Sequence, residues 1–165
     1  MFLQLWQCVS GDIEAFETFR PVDGEEMHRT SDGYVQPYSD SPLDQEILGE
    51  NIYLNMINRA KKRIYIITPY IIPGIPDKKI VYVLSQSNCV PLLKDGVRVY
   101  KYTPGFTHAK VVLVDDQIAT VGTVNFDYRS LFLHFECGVW MYQCDAVQEI
   151  RKDFEATFVD CEEMQ

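Results

Sequence analysis

Two short runs of β-branched residues, separated by a turn-forming segment, constrain the fold of this chain more than any other part of its sequence. The runs occupy residues 111–114 and 118–121, and Asp115-Asp116-Gln117 lies between them. Val, Ile and Thr are enriched in strands, and Asp is common in tight turns. The segment therefore predicts a β-hairpin.

Polar residues stand at both outer ends of this predicted hairpin. With a two-residue loop, His108 faces Asn125. In the same register Lys110 faces Thr123, and because strand side chains alternate, all four share one face. Imidazole is a nucleophile or general acid near neutral pH, and ammonium, hydroxyl and amide groups donate hydrogen bonds to charged oxygens. The patch predicts a phosphodiester site, and Gly122 leaves room for a ligand or a backbone segment to approach closely.

Taken one at a time, these residues also have simpler interpretations. His108 alone is a structural surface histidine, and Asp115 alone is a turn former. The pattern H-x-K-x4-D arises by chance in about one chain in a hundred at average residue usage. The added Gly-Thr-x-Asn on the same hairpin favours a functional site.

The rest of the sequence predicts an α/β domain with a mixed, largely parallel sheet flanked by helices. Residues 10–40 are rich in Gly, Asp, Ser, Thr and Pro, and 1–40 are expected to form an irregular segment, which leaves 41–165 as the domain. The predicted elements are a helix from Ser41, a strand at 64–68, helical segments at 78–86 and 91–94, a strand at 97–102 and a closing helix around 147–158. Strand, helix and strand in this order predict a right-handed βαβ unit.

Charge and cysteine usage narrow the function. The formal net charge is −9, which disfavours general nucleic-acid binding. Five cysteines at irregular spacing include no C-x-x-C pair, so we expect reduced thiols and no zinc site. No apolar run reaches the roughly 20 residues of a membrane span.

The run from His108 to Asn125 matches the H-x-K-x4-D-x6-G-[ST]-x-N (HKD) signature of the phospholipase D superfamily. Flanking segments resemble bacterial cardiolipin synthases over almost the whole chain, namely 34–38, 41–44, 68–70, 75–78, 102–106 and 126–131. The resemblance is to the C-terminal half of those enzymes. It implies a phospholipase D-like half, with 1–40 as the segment between two motifs and 41–165 carrying the second.

The resemblance also implies a chemistry that needs no metal or cofactor. One histidine attacks the phosphorus of a phosphatidyl group, another protonates the leaving glycerol, and a phosphohistidine forms between the two steps. By this similarity His108 is the motif histidine, Lys110 binds the phosphate and Asp115 is the motif acid. Thr123 and Asn125 then line the pocket.

Three further residues are assigned by the same resemblance. Glu136 resembles the family's downstream carboxylate, which orients a catalytic imidazole through its second nitrogen. A surface glutamate at a strand edge is the alternative. Asp77 and Lys78 are expected near the substrate headgroup, although a Pro-Asp turn explains Asp77 equally well.

The function implied is that of a cardiolipin synthase-like phosphatidyltransferase half, which condenses two phosphatidylglycerols to cardiolipin and glycerol. Neither His28 nor His134 has a Lys two positions on, so only one motif is present. The second half is expected from a homodimer or from an N-terminal partner. The expected location is peripheral, on the cytoplasmic side of the cell membrane.

Two alternatives remain open at this stage. The chain can be a catalytically silent truncated paralogue that acts as a folded or partner-binding domain. It can also be a homodimeric phosphodiesterase or nuclease of the same superfamily, although the net charge of −9 disfavours a nucleic-acid substrate.

Overall fold

A computed structural model describes residues 2–11, 16–19, 32–69, 71–72 and 87–165. The chain divides into two units, residues 1–31 and 32–165. In the first unit α1 spans Phe2–Ser10 and a 3-10 helix spans Phe16–Phe19. Among the described residues, no helix combines the length and the apolar character that crossing a bilayer requires.

The second unit is organised around a five-stranded sheet of order β1-β8-β6-β5-β2. The elements are β1 (Tyr34–Asp40), α2 (Leu48–Arg59), β2 (Ile64–Ile67), β3 (Ile71–Ile72), α3 (87–94), β4 (Tyr100–Tyr102), β5 (Val111–Val114), β6 (Ile118–Gly122), β7 (Phe126–Asp127), α4 (Tyr128–Phe132), β8 (Glu136–Tyr142), α5 (Asp145–Val159) and β9 (Cys161–Glu163). The predicted mixed α/β class is confirmed.

The prediction of a largely parallel sheet was wrong. Every pairing in the five-stranded sheet is antiparallel. The predicted βαβ unit does not form, because β2 pairs with β5 while β4 pairs antiparallel with β9. The parallel pairing described is the short contact between β3 and β7.

The sheet is covered by a helix on each face, which explains why its central strands are apolar on both sides. On one face Tyr53 and Met56 of α2 pack against Val112, among others. On the other, Val147 and Phe154 of α5 belong to a second buried cluster. The closing helix predicted from the sequence is α5.

Residues 34–40 form an edge strand, although the sequence analysis placed them in an irregular segment. The side chain of Tyr38 decides this, because its hydroxyl lies 3.0 Å from Thr120 Oγ1. Its ring lies over Gly138, where an added Cβ would come within 2.4 Å of the Tyr38 hydroxyl oxygen. Pro37 is tolerated because β1 lies at the edge of the sheet.

Helix α2 begins seven residues after the predicted start at Ser41. The Ser41 hydroxyl accepts a hydrogen bond from the Leu43 amide at 3.2 Å. The Asp44 carboxylate accepts one from the Glu46 amide at 3.0 Å. These local bonds stabilise turns, and they compete with helix formation over this segment.

Candidate functional site

The polar residues of the site meet at the end of the sheet where β5 begins and β6 ends. Lys110 directly precedes β5, Gly122 ends β6 and Glu136 begins β8. Because β5, β6 and β8 are neighbours in the sheet, these three positions lie side by side. The Gly122 amide donates to the Lys110 carbonyl at 3.2 Å, which closes the open end of the hairpin.

The hairpin exists, but its register differs from the prediction by one residue. Val114 pairs with Ile118, so the loop has three residues rather than two. Asp115 and Asp116 adopt positive φ angles of 51° and 57°, which closes this longer turn. In this register Lys110 stands opposite Gly122 and not opposite Thr123 as predicted.

Lys110 and His108 form the centre of the site. The Lys110 Nζ atom lies 3.0 Å from each ring nitrogen of His108 and donates to the His108 carbonyl at 2.8 Å. Lys110 is only 7% exposed, whereas His108 is exposed. A shielded ammonium therefore lies against an imidazole that a substrate can reach.

Burial lowers the pKa of Lys110, and the carboxylates of Glu136 and Asp127 oppose that shift. A buried ammonium has lost much of its hydration and gains from an anion placed beside it. This environment suits a phosphate that arrives next to His108.

Glu136 is buried, with 5% of its surface exposed, and links two polar groups. One of its carboxylate oxygens accepts a hydrogen bond from the Thr123 hydroxyl, which itself accepts from the Cys137 amide at 3.0 Å. The other oxygen lies 3.7 Å from His134 Nδ1. The imidazole beside Glu136 is thus that of His134, whereas contact of Glu136 with a catalytic imidazole stays a prediction.

Asn125 is directed toward α4. Its amide nitrogen donates to the Ser130 hydroxyl at 3.0 Å, and its side-chain oxygen is buried without a hydrogen-bond partner among the described residues. Asp127 caps α4 by accepting from the Ser130 amide at 2.8 Å. Within the predicted four-residue face, hydrogen bonds join Lys110 to His108, while those of Thr123 and Asn125 go to Glu136 and Ser130 respectively.

Gly122 has a structural role in this sheet. A Cβ at this position would lie 2.5 Å from the Cys137 carbonyl oxygen and 2.8 Å from the Gly138 Cα. Such contacts with backbone cannot be relieved by a side-chain movement. The space that glycine provides is taken by the backbone of β8, which is one of the two kinds of close approach that the sequence predicts at this position.

Asp115 lies at the far end of the hairpin. It is five positions after Lys110, which corresponds to about 16 Å along an extended strand. Its carboxylate accepts from the amides of Lys61, Lys62 and Arg63 at 2.7, 2.9 and 2.9 Å, and these bonds lower its pKa. Asp115 therefore stabilises the turn that precedes β2, at the opposite end of the hairpin from His108 and Lys110.

The remaining assigned residues, Asp77 and Lys78, lie outside the described residues. Sequence reasoning had missed His134 as a site residue because it lacks the following Lys of the motif. One signal could have found it: in an extended segment, residues two apart share a side, so His134 and Glu136 are expected together.

Comparison with known proteins gives the family. The model of the family described as "Cardiolipin synthase, PLD-like domain" matches residues 71–158. An uncharacterized protein of Streptococcus mutans is 44% identical over 95% of this chain and 38% of its own length. A cardiolipin synthase of a Geobacillus species is 32% identical over 100% of this chain and 38% of its own. The chain thus spans about 38% of the length of these curated relatives.

Solved structures agree on the fold. Nuc from Salmonella typhimurium, a phospholipase D family member, superposes with a TM-score of 0.61 at 13% identity, over 81% of this chain and 99% of that one. Phosphatidylserine synthase from Haemophilus influenzae gives a TM-score of 0.60 at 17% identity, over 79% of this chain and 40% of that one. Both structures show the same fold as the part of this chain that they match.

Proposed function

The chain belongs to the cardiolipin synthase family of PLD-like domains, and from this membership we propose that it is one half of a phosphatidyltransferase. The reaction is the condensation of two phosphatidylglycerols to cardiolipin and glycerol. The observation that carries the proposal is the shielded Lys110 ammonium held 3.0 Å from both ring nitrogens of the exposed His108.

The proposed first step is attack by a His108 ring nitrogen on the phosphorus of one phosphatidylglycerol. A nitrogen–phosphorus bond forms, the bond to the glycerol oxygen breaks, and a proton from the second half of the site goes to that oxygen. In the second step a hydroxyl of another phosphatidylglycerol attacks the phosphorus, its proton goes to the group of the second half that gave up a proton in the first step, and the nitrogen–phosphorus bond breaks. Lys110 stabilises the negative charge on the phosphate oxygens throughout.

Glu136 and Thr123 support this site rather than react. The Thr123 hydroxyl holds one carboxylate oxygen of Glu136, and that carboxylate raises the pKa of Lys110 against the effect of burial. Glu136 therefore favours the charged form of the Lys110 ammonium. A charged ammonium is the form that binds a phosphate.

A second histidine motif has to come from another chain segment. The length of the relatives supports this, because this chain spans about 38% of each. A homodimer or an N-terminal partner can supply the missing half. We further propose a peripheral location at the cytoplasmic side of the membrane, where phosphatidylglycerol is accessible.

The test is phosphatidylglycerol turnover by the chain mixed with the N-terminal half of a full-length relative, compared with its His108→Ala variant. The variant is expected to lose at least about a thousandfold in turnover, because removal of a nucleophile abolishes the covalent route. Acid-labile, base-stable labelling of the wild-type chain from labelled lipid identifies the phosphohistidine. Absence of both turnover and labelling in every assembly state would contradict the proposal and favour a silent domain.

A homodimeric phosphodiesterase is the second candidate, and one observation favours it. The match to the Salmonella chain covers 99% of that chain, so the fold is complete in a chain no longer than this one. A dimer that cleaves a soluble diester but makes no cardiolipin would support this candidate over the first.

A further inference from the structure

A cavity of about 170 Å³ lies between the loop that follows β1 and the end of α4. Leu131 contributes an apolar wall, and the polar lining comes from Asp40, Ser41, Asp44, Gln45, Glu46 and His134. Neither His108 nor Lys110 lines it. The cavity is therefore a separate recess beside the site already described.

Glu136 connects this cavity to the reacting centre. Asp40 of the cavity and Glu136 are direct partners in the β1–β8 ladder. His134 of the cavity places Nδ1 3.7 Å from one oxygen of Glu136, and the other oxygen holds the Thr123 hydroxyl. Glu136 thus lies between a molecule in the cavity and Lys110, and its carboxylate opposes the lowering of the Lys110 pKa by burial.

The size of the cavity restricts its occupant. Pockets for drug-sized ligands measure about 300–1,000 Å³, and this cavity is well below that range. A lipid chain or a nucleotide does not fit. A group of a few heavy atoms does.

The charge of the lining restricts the occupant further. Carboxylates of Asp40, Asp44 and Glu46 repel a phosphate. Both oxygens of Asp40 already accept hydrogen bonds, from the Ser41 amide at 3.0 Å and the Gly49 amide at 2.6 Å. No group of three or more metal-ligating side chains occurs among the described residues.

A neutral polyol fits these conditions because each hydroxyl both donates and accepts. Ser41 and His134 offer partners of either kind, and the carboxylates of Asp44 and Glu46 accept. His134 is half-exposed and is oriented through Nδ1 toward Glu136, so its other nitrogen points away from that carboxylate. Because His134 lines the cavity, we infer that this second nitrogen is the one available to a ligand there.

We propose that this cavity binds a glycerol moiety, either free glycerol or the glycerol headgroup of a lipid, with His134 as its principal hydrogen-bonding wall. The inference rests on the proposed function, because glycerol is the group that the proposed reaction releases. His134 is a positioning residue: it places the headgroup beside Glu136 while His108 carries the chemistry.

The first experiment measures binding without turnover. The imidazole proton signals of the chain, which has three histidines, are followed by NMR during titration with glycerol. The signal assigned to His134 by comparison with His134→Leu is expected to shift and saturate. The variants lack this imidazole signal, so their glycerol affinity is followed through the backbone amide signals of the residues that line the cavity. The leucine variant is expected to bind about tenfold more weakly, the value of one hydrogen bond of about 1.4 kcal/mol, while His134→Gln stays within about threefold of wild type.

Matched solutes decide the chemistry of the cavity. 1-Propanol, which has one hydroxyl, and glycerol 3-phosphate, which carries charge, are expected to bind much more weakly than glycerol. An equal response to 1-propanol, tighter binding of glycerol 3-phosphate, or no response to glycerol would overturn the inference.

The second experiment separates a lipid headgroup from free glycerol and separates this inference from the proposed function. Vesicles that contain phosphatidylglycerol are compared with vesicles that contain phosphatidic acid, which lacks the headgroup; a His134 response only to the first identifies the headgroup. With the second half present, His134→Leu is expected to raise KM for phosphatidylglycerol several-fold with kcat nearly unchanged. Glycerol binding without any turnover refutes the proposed function alone. Turnover with an unchanged KM and no glycerol binding refutes this inference alone.

Discussion

Lys110 carries the largest share of the proposed chemistry at the scale of single residues. It is 7% exposed, and its ammonium contacts both the ring and the carbonyl of His108. A buried cation without a directly hydrogen-bonded carboxylate among these contacts is costly in the free chain. A phosphate bound beside Lys110 offsets this free-energy cost. The gain on binding therefore comes from the group that reacts.

Lys110→Met is therefore expected to lower kcat/KM for phosphatidylglycerol by about a hundredfold to a thousandfold, as loss of one electrostatic stabiliser does in other enzymes. Steady-state turnover in the presence of the second half measures this. Lys152→Met is the matched control, because Lys152 lies exposed on α5 and pairs with Glu149. Equal activity of the Lys110→Met variant and wild type would remove Lys110 from the phosphate site.

At the scale of elements, the hairpin turn holds β2 in the sheet. The Asp115 carboxylate accepts three backbone amides from residues 61–63, and its own amide donates to the Arg63 carbonyl at 3.0 Å. These bonds join the segment between α2 and β2 to the loop of the β5–β6 hairpin. They set β2 antiparallel beside β5, which the local sequence of either segment does not specify.

Asp115→Asn is expected to lower the urea midpoint of unfolding at neutral pH. The midpoint of this variant is also expected to decrease less than that of the wild-type chain when the pH is lowered. The folded state lowers the pKa of Asp115, so its stabilisation is present above the unfolded pKa of about 3.9 and is lost as the pH falls through the lower folded value. Denaturation curves between pH 2 and pH 7 measure this.

Asp95→Asn, in the exposed turn after α3, serves as the control for that series. The urea midpoint of this control variant is expected to equal that of the wild-type chain at each pH. If Asp115→Asn also abolished phosphatidyl transfer without a change in stability, Asp115 would belong to the chemistry after all.

At the scale of the whole molecule, the chain spans only part of the length of its relatives, and it is also shorter than they are within the aligned region. Its match to the cardiolipin synthase of Geobacillus kaustophilus runs over 195 positions and takes in 100% of the 165 residues, so about 30 positions have no counterpart here. The five-stranded sheet nevertheless forms a continuous ladder. The half-site at its end is assembled without those positions.

Activity is expected to depend on assembly, because one motif supplies one histidine. Specific activity should rise with the fraction of dimer, or with added N-terminal half, and not with monomer concentration. Sedimentation velocity and turnover measured on the same dilution series test this. Full activity of a sedimenting monomer would mean that a second motif is not required.

The sequence by itself determined the hairpin, the closing helix and the family. Each of these follows from local information: β-branched runs around a turn, apolar residues at helical spacing, and a motif confined to residues 108–125. The contact of Lys110 with His108 is likewise between residues two apart.

Only the tertiary structure decided the register, the strand directions and the partners of the polar groups. Two positive φ angles lengthen the turn by one residue, and the β1 edge is fixed by Tyr38 packing on Gly138, far away in sequence. Glu136 meets Thr123, and Gly122 meets β8, because neighbouring strands bring them together. Such contacts depend on which strands pair, and strand pairing is set by side-chain packing across the whole sheet.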